Sequence, residues 1–338
     1  WLINIFLKSL IFVSTICISC WSNATSTIEG NMNSLDKKQQ WCTGRYSFEI
    51  PKNHEIIGVT DKYDSFVIES ELATYIDFLN SIQVTQKEYT VGNSVIIKET
   101  ETPKESKQKL TKIIWGDIDK STNKGLTHVI AFVLDKGILF KIKGSYSEAY
   151  KDESFESINN VVTNLTARNN NTIPIEKGVC ILNGFIKDNG DKYRFSRQII
   201  SFQYNNFPSL RLAFTVEATY KAEQNIISSV TSKLEKQGVL QSFLSSFKSI
   251  RKGEKNQNNT SNPLKGVELV VEAPMKGKSG IDATWEHTGT AKNSNDPTIL
   301  FLLDSAYNDR ITKTSSLSEK DALKLYDYTL NSIKKFQE

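Results

Sequence analysis

Residues 41–51 read WCTGRYSFEIP, and the fold is read outward from them. Tyr46, Phe48 and Ile50 alternate with Ser47 and Glu49, the period of two of a half-buried strand. Pro51 lacks an amide hydrogen and ends it. A second cysteine-bearing strand, 178–182 (GVCIL), opens the other half of the chain. Each half closes on an amphipathic helix. In the first, about 153–168, Phe155, Ile158, Val161, Val162 and Leu165 form one stripe. In the second, from Ser318 to about 336, Leu323, Tyr326, Leu330 and Ile333 do, and Ser318 with Asp321 makes a capping box. Between the halves, Asn169-Asn170-Asn171-Thr172-Ile173-Pro174 is a break. The pattern predicts an α+β fold of two domains, 41–170 and 178–338, joined by a linker at 171–177, each a mainly antiparallel sheet with packed helices.

Further strands are expected at 65–68, at 89–91 leading into 94–97, and at 127–134 and 138–142. The last two form a hairpin around Asp135-Lys136-Gly137, read as a bulged three-residue loop. Shorter helical windows fall at about 70–82 and 103–115. In the second half, strands are expected at 193–196, 198–204, 210–217, 267–272, 281–287 and 298–303. A helix is expected over about 223–249, and 251–265 (RKGEKNQNNTSNPLK) reads as a long polar loop with little reason to order alone.

The 42 basic and 38 acidic residues leave a net charge of +4. That surplus is too small and dispersed for a nucleic-acid surface. Lys8 precedes an uncharged apolar run, 9–19, which suits a secretory signal and is short for a membrane span. The expectation is a signal peptide over 1–24 and a polar tether over 25–40. Two cleavages compete. One before Cys20, in Cys17-Ile18-Ser19-Cys20, frees that thiol for acylation. One after Ser22-Asn23-Ala24 removes it. Membrane contact is expected only through such a lipid at Cys20. Either cleavage leaves Cys42 and Cys180 as the thiols of the folded part. In an oxidising compartment they tend to pair, which stabilises by about 4–5 kcal/mol in the chain-entropy model. The alternative is two separate buried thiols.

Catalytic motifs are not found. His54, His128 and His287 have no second His or Cys at metal-ligand spacing. His54 falls in a turn-like stretch, and His128 inside an apolar strand. There is no G-x-S-x-G elbow. Gly277-Lys278-Ser279-Gly280 lacks the upstream glycine of a phosphate loop and reads as a turn. Asp191 and Glu217 are an acid–base pair only if the fold joins them. No catalytic residue, cofactor or metal is expected.

Cys42-Thr43-Gly44-Arg45-Tyr46, with the strand running on to Pro51, resembles the opening of the Tle cognate immunity proteins. Gly178-Val179-Cys180 with Gly184-Phe185-Ile186 resembles the start of that family's C-terminal domain. Residues 268–271, Trp285-Glu286-His287-Thr288-Gly289, Pro297-Thr298-Ile299, 321–327 and Ser332-Ile333 are similar to the rest of it. The resemblance covers about 41–337; between 52 and 160 only the general plan agrees. It implies a two-domain clamp that grips a lipase-type toxin of the type VI secretion system from the periplasmic side and holds its lid, without chemistry of its own. The contact regions expected are 251–265 and the cleft between the domains. Two other readings are an envelope structural or lipid-binding protein, which needs a lipid-sized apolar cavity, and a periplasmic enzyme, which needs a concave pocket of perturbed titratable groups.

Overall fold

The computed structural model describes residues 35, 37–91, 95–101, 109–117, 126–222, 224–225, 228–229, 232, 235–236, 238, 248–258, 262–275, 278–306 and 317–336. The expected signal peptide, most of the tether, Cys17, Cys20 and most of the helix expected at 223–249 lie outside the described residues.

The first half contains β1 (Lys38–Thr43), β2 (Tyr46–Pro51), β3 (His54–Tyr63), β4 (Phe66–Leu72), α1 (Tyr75–Val91), β5 (Val95–Glu101), β6 (Lys109–Asp117), β7 (Leu126–Asp135), β8 (Ile138–Ser147) and α2 (Lys151–Asn164). The first half ends with β9 (Leu165–Ala167), and the second contains β10 (Gly178–Ile181), β11 (Gly184–Lys187), β12 (Ser196–Tyr204), β13 (Phe207–Ala218), β14 (Lys248–Glu254), β15 (Val267–Met275), β16 (Lys278–His287), β17 (Thr298–Asp304), α3 (Glu319–Ser332) and β18 (Lys334–Lys335). It is a mostly antiparallel α+β fold. Twelve strands form one sheet in the order β14-β15-β16-β17-β13-β12-β3-β4-β8-β7-β6-β5, and β1-β2-β18 and β10-β11-β9 form two small ones.

The large sheet crosses the midpoint of the chain. β3 pairs with β12 along its whole length, from Tyr63 opposite Ser196 to His54 opposite Tyr204. It pairs with β4 only from Asp61 to Tyr63.

Several elements differ from the sequence expectation. The single strand 41–51 is a hairpin, turned at Gly44 and Arg45 with Trp41 opposite Phe48. Gly44 has φ +55°, the left-handed geometry that closes a two-residue hairpin. Residues 89–91 end α1 rather than opening a strand, and 109–115 of the second helical window lie in β6. The hairpin between β7 and β8 turns on two residues, Lys136 and Gly137, both at positive φ, as a type I′ turn requires. His54 begins β3 rather than sitting in a turn. Residues 248–254 form β14, and the segment after it is fixed: buried Gln257 donates to Leu330 O and Ile333 O, both at 2.8 Å. Sequence reading treated this polar run as solvated because its anchors lie about 75 residues away.

The cap expected at Ser318 forms, whereas α2 starts without a side-chain cap. Ser318 Oγ accepts from Asp321 N at the start of α3. The end of α2 is closed from another element: Lys109 Nζ donates to Val162 O, Thr163 O and Leu165 O, a cation at the negative end of a helix.

The apolar clusters show a hairpin exchange. One face of β12, β13, β16 and β17, with α3, forms a core around Phe202, Phe214, Trp285, Phe301 and Tyr326. Its remaining wall comes from the other half of the chain: Trp41, Tyr46, Phe48 and Ile50 of β1 and β2, with Phe48 stacked on Phe214 at 3.6 Å between ring centroids. The second core reverses this. Phe66, Val129, Ile142, Ile158 and Val161 of the first half are covered by Val179, Ile181 and Ile186 of β10 and β11. A third cluster packs Phe78, Ile82 and Tyr89 of α1 on Ile114, Phe132 and Leu139, the opposite face of the first-half sheet.

Candidate functional site: a stapled seam and an open helix face

The exchanged hairpins meet at the residues that opened the sequence reading. Cys42 and Cys180 form a disulfide with their Cα atoms 5.8 Å apart, and both are buried. Beside it, Gly44 N donates to Cys180 O at 2.9 Å and Cys180 N to Gly44 O at 2.7 Å. A Cβ on Gly44 would stand 2.5 Å from Val216 Cγ1, so the turn can lie against the Val216 side chain only because Gly44 has no Cβ. Arg45 Nη2 donates to Asp188 Oδ2 at 2.5 Å and Nη1 to Asp188 O at 2.8 Å. The side chains are 6% and 9% exposed, so this ion pair is nearly shut off from water. Arg45 has no basic nitrogen to offer a reaction, and its donors are taken up by the fold. The seam is a fastening.

A second buried polar contact ties the halves nearby. Asp61 Oδ2, on β3, accepts from Leu182 N at 2.9 Å in the turn between β10 and β11. Burial pushes its carboxyl up to about 7, against the hydrogen bond from Leu182 and the charge of Arg168. Arg168 gathers the linker, donating through Nη1 to Asn169 O, Asn170 O and Thr172 O. Its own guanidinium is lowered to about 10 by burial. Sequence reading missed Asp61, Arg168 and Asp188, since no local pattern marks a buried charge whose partner is distant.

The other candidates disperse. His54 packs edge-on against Trp41 and Phe202 and bonds to Pro51 O. Burial holds its pKa below the usual value. His287 lies between Lys265 O and Asp296. His128 sits in β7. No group of three His, Cys, Asp or Glu side chains suited to a metal occurs among the described residues. Asp191 is held by Asn189, and Glu217 pairs with Arg197. Lys278, Ser279 and Gly280 belong to β16, paired with β15, so the strand-loop-helix setting of a phosphate loop is not there.

What the first half does present is an open surface. α1 buries Phe78, Ile82 and Tyr89, yet its first two turns also expose apolar side chains. Leu72 just before it is 85% exposed, Tyr75 56%, Ile76 66% and Leu79 40%. A groove of about 610 Å³ runs between α1 and the sheet, with Leu72, Val84, Ile130 and Phe132 in its walls. Asp77 and Glu88 line it beside Lys141 and Lys143. Both lysines are engaged by carboxylates of β4, Lys141 with Glu71 and Lys143 with Glu69. Hydrogen bonds from Thr74 N and Oγ1 hold the Asp77 carboxyl below the usual carboxylate range.

Residues 172–335 match the family described as the Tle cognate immunity protein 4 C-terminal domain. Comparison with curated proteins finds no match. Solved structures share the fold, among them the following three. A chain of the Tle4–Tli4 complex superposes with a TM-score of 0.72 at 18% identity, covering 88% of this chain and 97% of that one. The T6SS immunity protein TplEi of Pseudomonas aeruginosa does so complexed with "L" peptide, with a TM-score of 0.70 at 19% identity, covering 88% of this chain and 98% of that one. The apo form of TplEi gives 0.70 at 19%, covering 89% and 98%.

Proposed function

We propose that this chain, which belongs to the Tle cognate immunity protein family, binds a Tle lipase effector of the type VI secretion system and blocks its access to substrate without catalysing a reaction. The family match over 172–335 carries the reading. The shared fold reaches beyond that segment, over 88% of this chain in the Tle4–Tli4 comparison. The chain acts in the periplasm, where the signal sequence at 1–24 sends it and where Cys20, if kept and acylated, anchors it to a membrane. A buried disulfide is consistent with an oxidising compartment. The first half, 41–170, and the second, 178–338, are the two arms of a clamp, each centred on an apolar cluster that a hairpin of the other half completes.

The test is co-expression in the periplasm with the lipase-like effector encoded beside this gene. Rescue from toxicity with the two proteins co-purifying supports the reading. Toxicity unchanged and no complex sink it. A version held in the cytosol should give no rescue, and rescue by it would move the site of action.

A further inference from the structure

β3 is a bare edge inside a sheet. On one side it pairs with β12 over its whole length. On the other, β4 meets only Asp61, Lys62 and Tyr63, then follows β8 from Val67 opposite Lys143 to Leu72 opposite Ile138. Among the described residues, 54–60 therefore meet no strand on that side. In an antiparallel pair every second residue turns its N–H and C=O away from the partner. Along 54–60 those groups open into the gap between β3 and β4. Ile57 has no partner on β12 either, being the extra residue of a bulge between Gly58 opposite Ser201 and Ile56 opposite Phe202. The side chains here are apolar: Ile56, Ile57 and Val59 are 38%, 39% and 38% exposed. Residues 55–60, EIIGVT, contain no proline or lysine, and Glu55 is their one charge. Proteins blunt an apolar edge with such residues or cover it, because it recruits other strands. Here position does the blunting. β4 and the strands beyond it stand across the gap. Its inner end is bridged by Leu182, whose N donates to Asp61 Oδ2 of β3 and whose O accepts from Ser70 Oγ of β4. The edge of another sheet cannot reach β3 past this obstruction, and neither can a second copy, whose own β3 is recessed in the same way. A single extended segment can.

We propose that residues 54–60 of β3 take up an extended apolar segment of the cognate effector as an added strand, its backbone completing the open ladder and its side chains packing on Ile56, Ile57 and Val59. Main-chain pairing supplies the affinity, and alternate side chains the specificity. This rests on the immunity reading above and assigns one contact surface to the arm that the family match does not cover.

The experiment uses the full exported chain and the purified, catalytically inactive effector encoded beside this gene, with affinity from calorimetry and amide hydrogen exchange followed along the chain. The amides within 55–60 that face the gap should exchange fast in the free chain and slow at least about tenfold in the complex, a change that side-chain contact without strand pairing does not give. The double variant Ile57→Lys, Val59→Lys puts on this edge the charge that guarded edges carry, and should bind at least about 100-fold more weakly. Circular dichroism checks that the variant keeps its fold, and the exchange measurement needs no substitution, so it decides the question even where the variant does not fold. Wild-type binding with exchange at 55–60 unchanged, or with the folded variant within twofold in Kd, overturns this surface and leaves the immunity reading intact. A wild-type chain that binds no such effector overturns both. A concentration-dependent dimer that slows the same amides and is lost in the variant would assign the edge to a second copy and overturn the proposal.

Discussion

Arg45 and Asp188 show how one buried pair fixes two hairpins. At 6% and 9% exposure, removing one partner strands the other charge away from water, which costs about 3–5 kcal/mol. Arg45→Ala should therefore lower unfolding stability by that amount in a denaturant titration, and Arg45→Lys should not restore it, because a single ammonium cannot reproduce the two-nitrogen contact. Asp61 makes a different kind of claim. Its carboxyl is pushed up to about 7 in the folded chain, while an unfolded aspartate titrates near 3.9. Between roughly pH 4 and 7 the folded state holds a proton that the unfolded state has released. Stability from this group is thus fully present below pH 4, is lost as pH rises to about 7 and is flat above. A shift of this size is worth at most roughly 4 kcal/mol. Asp61→Asn keeps an oxygen for Leu182 N and removes the charge. The variant should gain on the wild type as pH is raised from 4 to 8, read as the difference between their unfolding midpoints; a constant difference would reject the assignment. Cys42, Gly44 and Arg45 were conspicuous in the sequence because they sit together. Asp61, Arg168 and Asp188 were not, because each acts through a residue far along the chain.

Among the elements, the β1–β2 hairpin bears most directly on stability. It lies on the core of the opposite half and is held there by the Cys42–Cys180 bridge across 138 residues. Closing a loop of that length in the unfolded chain removes entropy equivalent to about 5 kcal/mol. The double variant Cys42→Ser, Cys180→Ser should lose up to that amount against the oxidised protein in the same buffer. Equal stability would show that the hairpin seats itself without the bridge. Strong local periodicity made β2, β7, β8, β12, β13, β17, α2 and α3 readable in advance. α1 was expected about five residues early, since its apolar residues lie on two faces and blur the helical period. β3 was missed. Its residues are mostly exposed until Asp61 and Tyr63, so it shows little alternation, although it is the strand through which the two halves join.

Across the whole molecule, the hairpin exchange makes each half depend on the other. Trp41, Tyr46, Phe48 and Ile50 complete the core of the second half. At about 1.5–3 kcal/mol for each large apolar side chain buried, these four contribute roughly 6–12 kcal/mol, comparable with the entire stability of an ordinary domain. A fragment of residues 178–338 alone should therefore show no cooperative thermal transition, while residues 37–338 should melt in one; a cooperative melt of the shorter fragment would show that its core closes without the borrowed hairpin. The sequence alone determined the class, α+β with antiparallel strands, because alternation and helical spacing are written over five to fifteen neighbouring residues. It also pointed to the family, through motifs whose order along the chain is itself a sequence property. Only the tertiary structure decided that the halves share one sheet, that they exchange hairpins, and that Cys42, Gly44 and Arg45 form a fastening between them. Those are pairings between segments more than a hundred residues apart, selected by which exposed edge and which bare core face each hairpin can complete, and no local pattern records that choice.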